Sequence, residues 1–369
     1  MLDIKVKTKD FLRAIRIVEN AITDDTKGGI YIETTEDNKL EFKAIGYNLF
    51  IKCYCDAFII NEGKILIKHK LIEEFLRKVK DEEVEIKEEN KKIKLITSDS
   101  VSNYSLIEYE QTQDIDIING VEYTLDKKTL LENIENTQFA TSSDIEKPKI
   151  NCIKFDVEEK TLKLVATDSY RLMYREVEIL ENDTNENISI SIPLKITQAL
   201  LKIFRETTLN KVIFRSEGTR VLFKLDDIEV ITKVTELQFP DYVGILNNVK
   251  VDKKVKINKS DLHTALEKVQ IFVRDKKEKK DVAEFLFTGD KLRISGFGEY
   301  GSTSSDVLIV KDCPDIKIYL NVKFIIEYLA SVKNADILEI NMSDEISAVL
   351  IKEDGNKNNN VYLTMPLKI

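Results

Sequence analysis

The sequence predicts an α+β protein of three similar domains, each built from antiparallel strands and two helices. Two observations support this prediction: a strand–helix pattern recurs three times, and alternating polar and apolar segments follow each second helix. A chain of 369 residues is also longer than one ordinary domain. We place the domains at residues 1–120, 121–248 and 249–369.

Each predicted domain begins with a strand that continues into a helix. The three copies read IKVKTKDFLRAIRIVEN, YTLDKKTLLENIENTQF and VKINKSDLHTALEKVQIF, and they begin at Ile4, Tyr123 and Val255. Phe11 of the first copy corresponds to Leu130 and Leu262, at offsets of 119 and 132 residues. Such long offsets describe repeated domains, because solenoid repeats are much shorter.

A second strand–helix unit repeats more closely, at offsets of 125 and 128 residues. The three copies share five apolar positions, which are Ile67, Leu71, Phe75, Leu76 and Val79, then Ile192, Ile196, Leu200, Leu201 and Phe204, then Leu320, Phe324, Tyr328, Leu329 and Val332. From the second position onward, spacings of four, one and three place these side chains on one face of a helix. The alternating segments that follow are typical of antiparallel hairpins, and residues 356–360 (NKNNN) are expected to form a loop tip.

Composition excludes several classes of protein. Hydrophobic residues make up 43% and charged residues 33%, which is typical of a folded globular chain. No apolar run approaches the roughly 20 residues that a membrane span requires, and the N-terminus lacks a secretory signal, so we expect a cytoplasmic protein.

Histidine and cysteine are too scarce and too scattered for a metal site. The two histidines are His69 and His263, and only Cys53 and Cys55 of the four cysteines are close in sequence. We therefore expect reduced thiols, no metal and no cofactor.

Charge is unevenly distributed along the chain. The net charge is −9, which as an average argues against nucleic acid as a partner, yet the six predicted helices together carry +6 and the remainder −15. Because the apolar face of each helix packs on the sheets, the cations are expected on the opposite face. They are Arg13, Arg16, Lys70, Arg77, Lys78, Lys127, Lys195, Lys202, Arg205, Lys268, Lys323 and Lys333. A charged face is also a common feature of ordinary solvated helices, so this pattern alone does not identify a partner.

A ring-shaped assembly would give this separation of basic helices from an acidic remainder a function. Twelve helices from two chains, each about 10 Å across, would enclose a hole of roughly 28 Å, which admits duplex DNA with a layer of water. Weak contacts to phosphates, blind to sequence, would hold the duplex and still allow the ring to slide.

Four motifs give the chain a resemblance to a known family. ATDSYRL (residues 166–172), LQFPDY (237–242), YLNVKFIIEYL (319–329) and MPLKI (365–369) occur in the order and spacing of the bacterial DNA polymerase III beta subunits, the sliding clamps. The resemblance covers the whole chain. It implies the DNA clamp fold, with antiparallel sheets outside, two helices of each domain inside and a head-to-tail dimeric ring. It also implies a processivity factor without enzymatic activity that tethers the replicative polymerase, the clamp loader and other proteins carrying a clamp-binding motif.

In that family the motifs line a hydrophobic cleft that receives a short partner peptide. Carried over by position, the resemblance implies a lining of Ile150, Thr167, Ser169, Tyr170, Arg171, Leu172, Pro240, Gly244, Ile245, Asn321, Phe324, Ile346, Ala348, Leu363, Met365, Pro366 and Leu367. Apolar pockets with a flexible methionine accept varied aliphatic and aromatic anchors. Arg171 and Asn321 are expected to bond the peptide backbone or its glutamine. Without the resemblance, Leu172 could equally be core, and Met365 and Pro366 could simply end the last strand.

The resemblance also points to dimer contacts at Tyr104, Ile271 and Phe272, which could instead be ordinary core. The chain departs from the family after the first helix, where AITDDTKGGIYIE is short and acidic and leaves Lys27 as a weak substitute for a DNA contact. Gly244 and Ile346 also differ from common forms, so peptide preference can shift.

Two other functions stay open at this point. A repeat scaffold could bind peptides without encircling DNA, and an enzyme could use a repeated α+β fold. Asp168, Tyr170 and Arg171 lie together in sequence, but no nucleophile, second acid or histidine accompanies them, so Asp168 is expected to brace a turn.

Overall fold

The computed structural model describes residues 1–22, 28–46, 48–108, 118–182, 186–275, 279–355 and 359–368. Within these residues the chain forms seven α-helices and 24 strands. The helices are α1 (Thr8–Val18), α2 (His69–Leu76), α3 (Lys127–Gln138), α4 (Leu194–Arg205), α5 (Tyr242–Asn247), α6 (Lys259–Val273) and α7 (Val322–Ser331), and a 3₁₀ turn (Glu19–Ala21) follows α1. None of these helices combines the length and the apolar character needed to cross a membrane.

The strands are short except for three. They are β1 (Asp3–Lys7), β2 (Ile30–Thr34), β3 (Lys39–Ile45), β4 (Leu49–Asn61), β5 (Lys64–Ile67), β6 (Glu83–Glu89), β7 (Lys92–Ile96), β8 (Val101–Ser105), β9 (Val121–Asp126), β10 (Cys152–Glu158), β11 (Thr161–Thr167), β12 (Arg171–Asn182), β13 (Ile188–Pro193), β14 (Lys211–Glu217), β15 (Arg220–Leu225), β16 (Ile228–Lys233), β17 (Lys253–Asn258), β18 (Val282–Thr288), β19 (Lys291–Phe297), β20 (Ser302–Lys311), β21 (Ile316–Asn321), β22 (Ile337–Met342), β23 (Val349–Glu353) and β24 (Val361–Thr364). The long strands β4, β12 and β20 each belong to two sheets.

Contacts divide the chain into two compact units. Unit 1 comprises Met1–Lys128, Ile179–Asn185 and Lys195–Val234, and unit 2 comprises Thr129–Glu178, Glu186–Leu194 and Thr235–Ile369. This division differs from the three domains expected from the sequence. The boundaries near residues 120 and 249 therefore stay a prediction.

Unit 1 contains two antiparallel sheets that share β4. One has the strand order β8, β7, β6, β1, β4. The other has the order β5, β2, β3, β4, β16, β15, β14, β9, followed by residues 179–182 of β12. Helix α1 packs against α2 and on β4, and α1 covers the apolar side of this strand.

Unit 2 is built in the same way around the strand β20. One sheet has the order β13, β10, β11, β12, β24, β23, β22, β17, β20, and the other has the order β21, β18, β19, β20. Helix α6 packs on β19 and β20 and against α7.

The pairing pattern repeats three times. β1 pairs with β4 and β6, β9 pairs with β12 and β14, and β17 pairs with β20 and β22. The antiparallel α+β class and the threefold repeat predicted from the sequence are thus confirmed. The short helix α5 was not predicted.

The repeated apolar positions explain the helices, with one exception. In α4, Leu200, Leu201 and Phe204 are buried, as the helical spacing predicts. In α2, Leu76 is buried, but Leu71 is 70% exposed. The expectation that the whole repeated face packs on a sheet is therefore wrong for Leu71. Helix α2 also ends at Leu76, so Val79, the last of the repeated apolar positions, lies beyond the helix.

Candidate functional site

A tight turn between β11 and β12 carries four of the candidate cleft residues. The Asp168 carboxylate accepts hydrogen bonds from the backbone N–H groups of Tyr170 (2.9 Å) and Arg171 (3.0 Å), as expected of a residue that braces a turn. The Thr167 hydroxyl donates to the Arg171 carbonyl at 2.7 Å. Ser169 takes a left-handed φ of 81°, which is uncommon for a residue other than glycine. These bonds fix the turn so that the Tyr170 side chain lies exposed.

The Arg171 guanidinium lies inside the protein, below this turn. Its Nε donates to Asp168 (2.9 Å), its Nη2 donates to the Phe139 carbonyl (2.7 Å), and its Nη1 bonds the Glu327 carboxylate. It also stacks 4.2 Å above the Phe324 ring. Burial opposes the charge, but the bond to Glu327 and the nearby carboxylates outweigh it and raise the pKa of Arg171. Each nitrogen of Arg171 thus has an internal partner, so Arg171 braces this turn from inside the protein.

The chain terminus lies beside this turn. β24 pairs with β12, so that Leu363 lies opposite Leu172. The Met365 N–H donates to the Tyr170 carbonyl at 2.9 Å, and the Leu367 N–H donates to the Tyr319 carbonyl at 2.9 Å. Backbone pairing therefore brings the 166–172 motif, the 319–329 motif and the terminal motif together.

Helix α5 carries two further candidate residues. Asp241 caps it by accepting from the Gly244 N–H at 2.9 Å. Tyr242 packs 6.1 Å from Tyr174 and donates to Asp156 at 2.7 Å. Burial and Asp156 raise the pKa of the Tyr242 hydroxyl. This anchor fixes the helix that carries the candidates Gly244 and Ile245.

Helix α7 begins directly after the candidate residue Asn321. The Asn321 side chain caps it and accepts from the Phe324 N–H at 3.1 Å. The Phe324 carbonyl accepts from the Tyr362 hydroxyl at 3.0 Å, and Tyr362 stacks on Tyr328 with the ring centroids 4.5 Å apart. Asn321 therefore has a structural bond of its own, in addition to any peptide contact.

All the candidate cleft residues belong to unit 2, and their exposure is graded. The most buried are Ile150, Thr167, Arg171, Leu172 and Leu363. The half-buried ones are Pro240, Gly244, Asn321, Phe324, Ala348, Pro366 and Leu367. The exposed ones are Ser169, Tyr170, Ile245, Ile346 and Met365. Leu172, Leu363 and Ala348 belong to one apolar cluster with Tyr242. Such a gradient from apolar floor to exposed rim suits an extended peptide with apolar anchors.

Several candidate DNA-facing cations are already paired within the protein. Arg13 forms a double hydrogen bond with Asp227 (3.0 and 3.2 Å) and donates to the Glu206 carbonyl at 3.0 Å. The bond to Asp227 raises the pKa of Arg13. Arg16 lies 3.4 Å from the Glu206 carboxylate, and Arg77 bonds Glu73. These residues brace the helices of unit 1, which limits what they can offer to a phosphate.

The remaining candidate cations also differ in whether they have a partner within the protein. Lys127 donates to the Thr207 carbonyl at 2.6 Å, and Lys323 lies 3.8 Å from Glu327. Lys195, Lys202 and Lys268 are exposed and form no ion pair with any residue that the structure describes. Lys70, Arg77, Lys78, Arg205, Lys323 and Lys333 are also exposed. Lys27 and the tip of the 356–360 loop, residues 356–358, lie outside the described residues, as does Ile369 of the terminal motif.

The candidate dimer residues lie on both units. Tyr104 is half-buried on β8 and meets the Phe75 ring edge to face at 6.3 Å. On α6, Ile271 is exposed and Phe272 is half-buried. The Phe272 ring lies 3.3 Å from the place a Cβ would take at Gly301, so any larger residue at this position would press on the ring.

The described residues offer little for metal or thiol chemistry. Among them, no three His, Cys, Asp or Glu side chains are placed to hold a metal ion. All four cysteines are free thiols, and burial raises the pKa of Cys55 to about 12 and that of Cys152 to about 11.

Two residues of the site were missed by the sequence analysis. Glu327 and Phe139 hold Arg171 in place, although neither is among the candidate cleft residues. A signal for Glu327 was available, since it stands four residues after Lys323 and three after Phe324 on one helix. Phe139 offered none, because only tertiary packing brings its carbonyl to Arg171.

Comparison with known proteins gives a consistent result. The family model described as "DNA polymerase III beta subunit, N-terminal domain" matches residues 2–116, and the one described as "DNA polymerase III beta subunit, central domain" matches residues 124–241. A beta sliding clamp of Staphylococcus aureus is 25% identical over 309 residues, which cover 81% of this chain and 78% of that protein. A beta sliding clamp of Staphylococcus epidermidis is 24% identical over 292 residues, covering 76% and 74%.

Solved structures agree in fold. The DNA polymerase III beta subunit of Thermotoga maritima superposes with a TM-score of 0.91 at 22% identity, covering 100% of both chains. The DNA polymerase III subunit beta of Pseudomonas aeruginosa gives 0.92 at 16% identity, again over 100% of both chains. The described chain thus has the fold of these proteins from end to end.

Proposed function

The chain belongs to the DNA polymerase III beta subunit family, and we propose that two copies of it close head to tail into a ring around duplex DNA. Its function is that of a DNA sliding clamp. Such a ring holds DNA by topology, so escape requires the ring to open and not merely the loss of contacts. We assign it no chemical reaction.

One observation carries the dimer: among the described residues, β8 and the first half of β20 lack a pairing that the repeat gives to their equivalents. β16 pairs with the first half of β4, and the equivalent β24 pairs with the first half of β12. By the same rule β8 should pair with the first half of β20. Within the described chain, β8 pairs only with β7, and residues 302–308 of β20 pair only with β19. Unpaired edges of this kind are templates for another chain, so we assign them to each other in two copies.

The repeat also predicts the register of this contact. Val230 lies opposite Ile51, and at the equivalent place Tyr362 lies opposite Met173. The positions that correspond in β8 and β20 are Ser102 and Thr303, since they pair within their own hairpins as Val230 and Ile51 do. Two residues along, Tyr104 would face Gly301 of the partner. There Tyr104 would come close to the Phe272 ring of the partner, which lies 3.3 Å from the place a Cβ would take at Gly301.

A cross-linking experiment tests this register. The double variant Ser102→Cys/Thr303→Cys should form disulfide-linked dimers under mild oxidation, because directly opposed residues have Cβ atoms about 5 Å apart. The offset variant Ser102→Cys/Ser305→Cys shifts one thiol by two residues, about 7 Å, and should react far less. Equal cross-linking of the two variants would contradict the register.

The linked ring then tests encirclement. The double variant is placed on nicked circular DNA by a clamp loader, oxidised and denatured. A ring stays with the circle in denaturant and is released when the circle is cut. A scaffold that binds peptides without encircling DNA would be lost in denaturant whether or not the circle is cut, and that result would overturn the proposal.

We further propose that the graded apolar surface of unit 2 binds short peptides of the replicative polymerase, the clamp loader and other partners. Its buried floor and exposed rim support this role, since tethering raises the local concentration of a partner at the DNA. Met365→Ala should weaken a fluorescent peptide containing Gln, Leu and Phe about tenfold, which corresponds to losing one buried anchor contact. Ile337→Ala is the matched control, because Ile337 is 37% exposed and Met365 38%, but Ile337 lies outside the proposed cleft. Equal affinities for the two variants would exclude this cleft.

A further inference from the structure

The Glu327 carboxylate on α7 contacts residues of two proposed surfaces, the peptide cleft and the DNA-facing surface. Glu327 bonds the Nη1 of Arg171 with one oxygen, and its other oxygen lies 3.8 Å from the Lys323 ammonium. Arg171 lies under the proposed peptide cleft, whereas Lys323 is an exposed candidate for a DNA phosphate. Both contacts lie within unit 2 and need no other part of the chain.

Arg171 transmits the position of Glu327 to the cleft. The guanidinium holds Asp168, and Asp168 in turn accepts the two backbone N–H groups that shape the turn carrying Tyr170. The same guanidinium stacks on Phe324, which stands one turn before Glu327 on α7. A change in the Arg171–Glu327 bond therefore reaches both the half-buried Phe324 and the exposed Tyr170 of the proposed cleft.

We propose that Glu327 is a positioning residue of the peptide cleft and that it couples peptide binding to the engagement of Lys323 by a DNA phosphate. A phosphate that draws Lys323 away leaves the Glu327 carboxylate to Arg171 alone. That strengthens the Arg171–Glu327 bond and orders the turn for a peptide. Among the described residues, the buried carboxylate of Asp281 also interacts with both Lys323 and Glu327, and its attraction for Lys323 is present with or without a phosphate. By linkage, the peptide must strengthen the DNA contact by the same factor.

The internal repeat provides a matched control. Lys195 on α4 occupies the position that corresponds to Lys323, 128 residues earlier. Where α7 has Glu327, α4 has Ala199, so Lys195 has no carboxylate one turn further along its helix. Lys195 can therefore contact a phosphate without influencing any arginine beneath a cleft.

The proposal rests on the proposed clamp function and is tested with the full-length protein. The affinity of a fluorescent Gln-Leu-Phe peptide is measured on free protein and on protein loaded on nicked circular DNA. Loaded wild-type protein should bind the peptide about threefold more tightly, within the usual range of coupling between sites. Without DNA, the Lys323→Ala variant should already bind the peptide with this tighter affinity. Loading on DNA should then have no further effect on its peptide affinity. Glu327→Gln should weaken peptide binding about fivefold and also remove the effect of DNA, and Glu327→Asp should restore part of both.

The outcomes separate this inference from the function on which it rests. If wild-type protein neither loads nor binds peptide, the proposed function fails. If it does both but Lys323→Ala keeps the effect of DNA, or Lys195→Ala abolishes it, the coupling through Glu327 is overturned. Lys323 is exposed, so its replacement leaves folding intact and keeps the test decisive even if Glu327→Gln folds poorly.

Discussion

The two units use arginine differently to tie their helices together. In unit 1, Arg13 on α1 reaches the chain just after α4 and pairs with Asp227. In unit 2, Arg171 on β12 reaches the chain just after α3 and Glu327 on α7. The Arg13 side chain is 27% exposed and that of Arg171 only 8%. A repeated fold thus keeps its strand pairing while the means of joining helices varies.

A second arginine strengthens this contrast. Arg175 stands four residues after Arg171 on β12, so both point to the same face of the strand. It is buried and donates to the carbonyls of Asn136 on α3 and Ser331 on α7, each at 3.3 Å. Burial lowers the pKa of Arg175. Unit 2 therefore has two buried arginines that hold α3 and α7 beside the proposed cleft, whereas the arginines of unit 1 lie nearer to solvent.

The largest expected effect is the loss of Arg171. Arg171→Met should lower the free energy of unfolding of unit 2 by about 3–5 kcal/mol, because Asp168, Glu327 and the Phe139 carbonyl lose a buried partner. Hydrogen exchange during urea titration, followed in β12 and α7, measures it. A loss below about 1 kcal/mol would mean that water replaces the guanidinium, and the contrast between the units would disappear.

A pH-dependent effect should appear in unit 1. Burial, and then the nearby Glu73, raise the pKa of Glu19 to about 7. The folded state therefore keeps a proton that the unfolded state releases above its ordinary pKa of about 4.5, so stability falls as pH rises between these values. Glu19→Gln should add about 1–2 kcal/mol of unfolding free energy at pH 8 and about a quarter as much at pH 5. Urea unfolding at both pH values measures it, and an equal change at the two would contradict the shift.

Replacing Arg13 should cost less than replacing Arg171. Arg13→Ala should lower the stability of unit 1 by about 1–2 kcal/mol, since a half-buried double hydrogen bond is lost and Asp227 can still reach water. Asp227→Asn is the partner control and should cost a similar amount. Thermal unfolding of both variants checks this, and a loss as large as that of Arg171→Met would remove the distinction between the two kinds of contact.

The smallest effect on stability is expected at Lys202. Lys202→Ala should change the unfolding free energy by less than about 0.5 kcal/mol, because this exposed lysine has no ion pair among the described residues. It should nevertheless reduce the slope of log affinity for duplex DNA against log salt by about 0.9. Arg13→Ala should leave that slope nearly unchanged. Salt titrations of both variants check this, and the opposite ranking would show that paired arginines, not free lysines, meet the DNA.

The sequence predicted the repeat because its signal is local. Apolar spacing within a strand or a helix depends on neighbours a few residues away, so Leu200, Leu201 and Phe204 were placed correctly on a buried face. Leu71 failed the same rule. Its helical spacing is right, but whether a face is covered depends on what lies opposite, and in the described chain it remains open.

The candidate site divides in the same way. The motifs around Thr167, Phe324 and Met365 could be read from the sequence, and backbone pairing does bring them together. The role of Arg171 could not be predicted from the sequence. An exposed arginine that contacts a peptide and a buried arginine that braces a turn look the same in a sequence. Cleft and DNA contacts themselves stay predictions until the variants above are measured.

The sequence by itself determined the antiparallel α+β class, the threefold repeat and the set of cations on the helices. Tertiary structure decided which of those cations are free, which apolar residues are covered, and that Glu327 lies between Lys323 and Arg171. The physical reason is the separation along the chain over which each kind of interaction acts. Periodicity records how a side chain sits on its own element, whereas burial and ion pairing depend on partners over 150 residues away in sequence, as Glu327 is from Arg171.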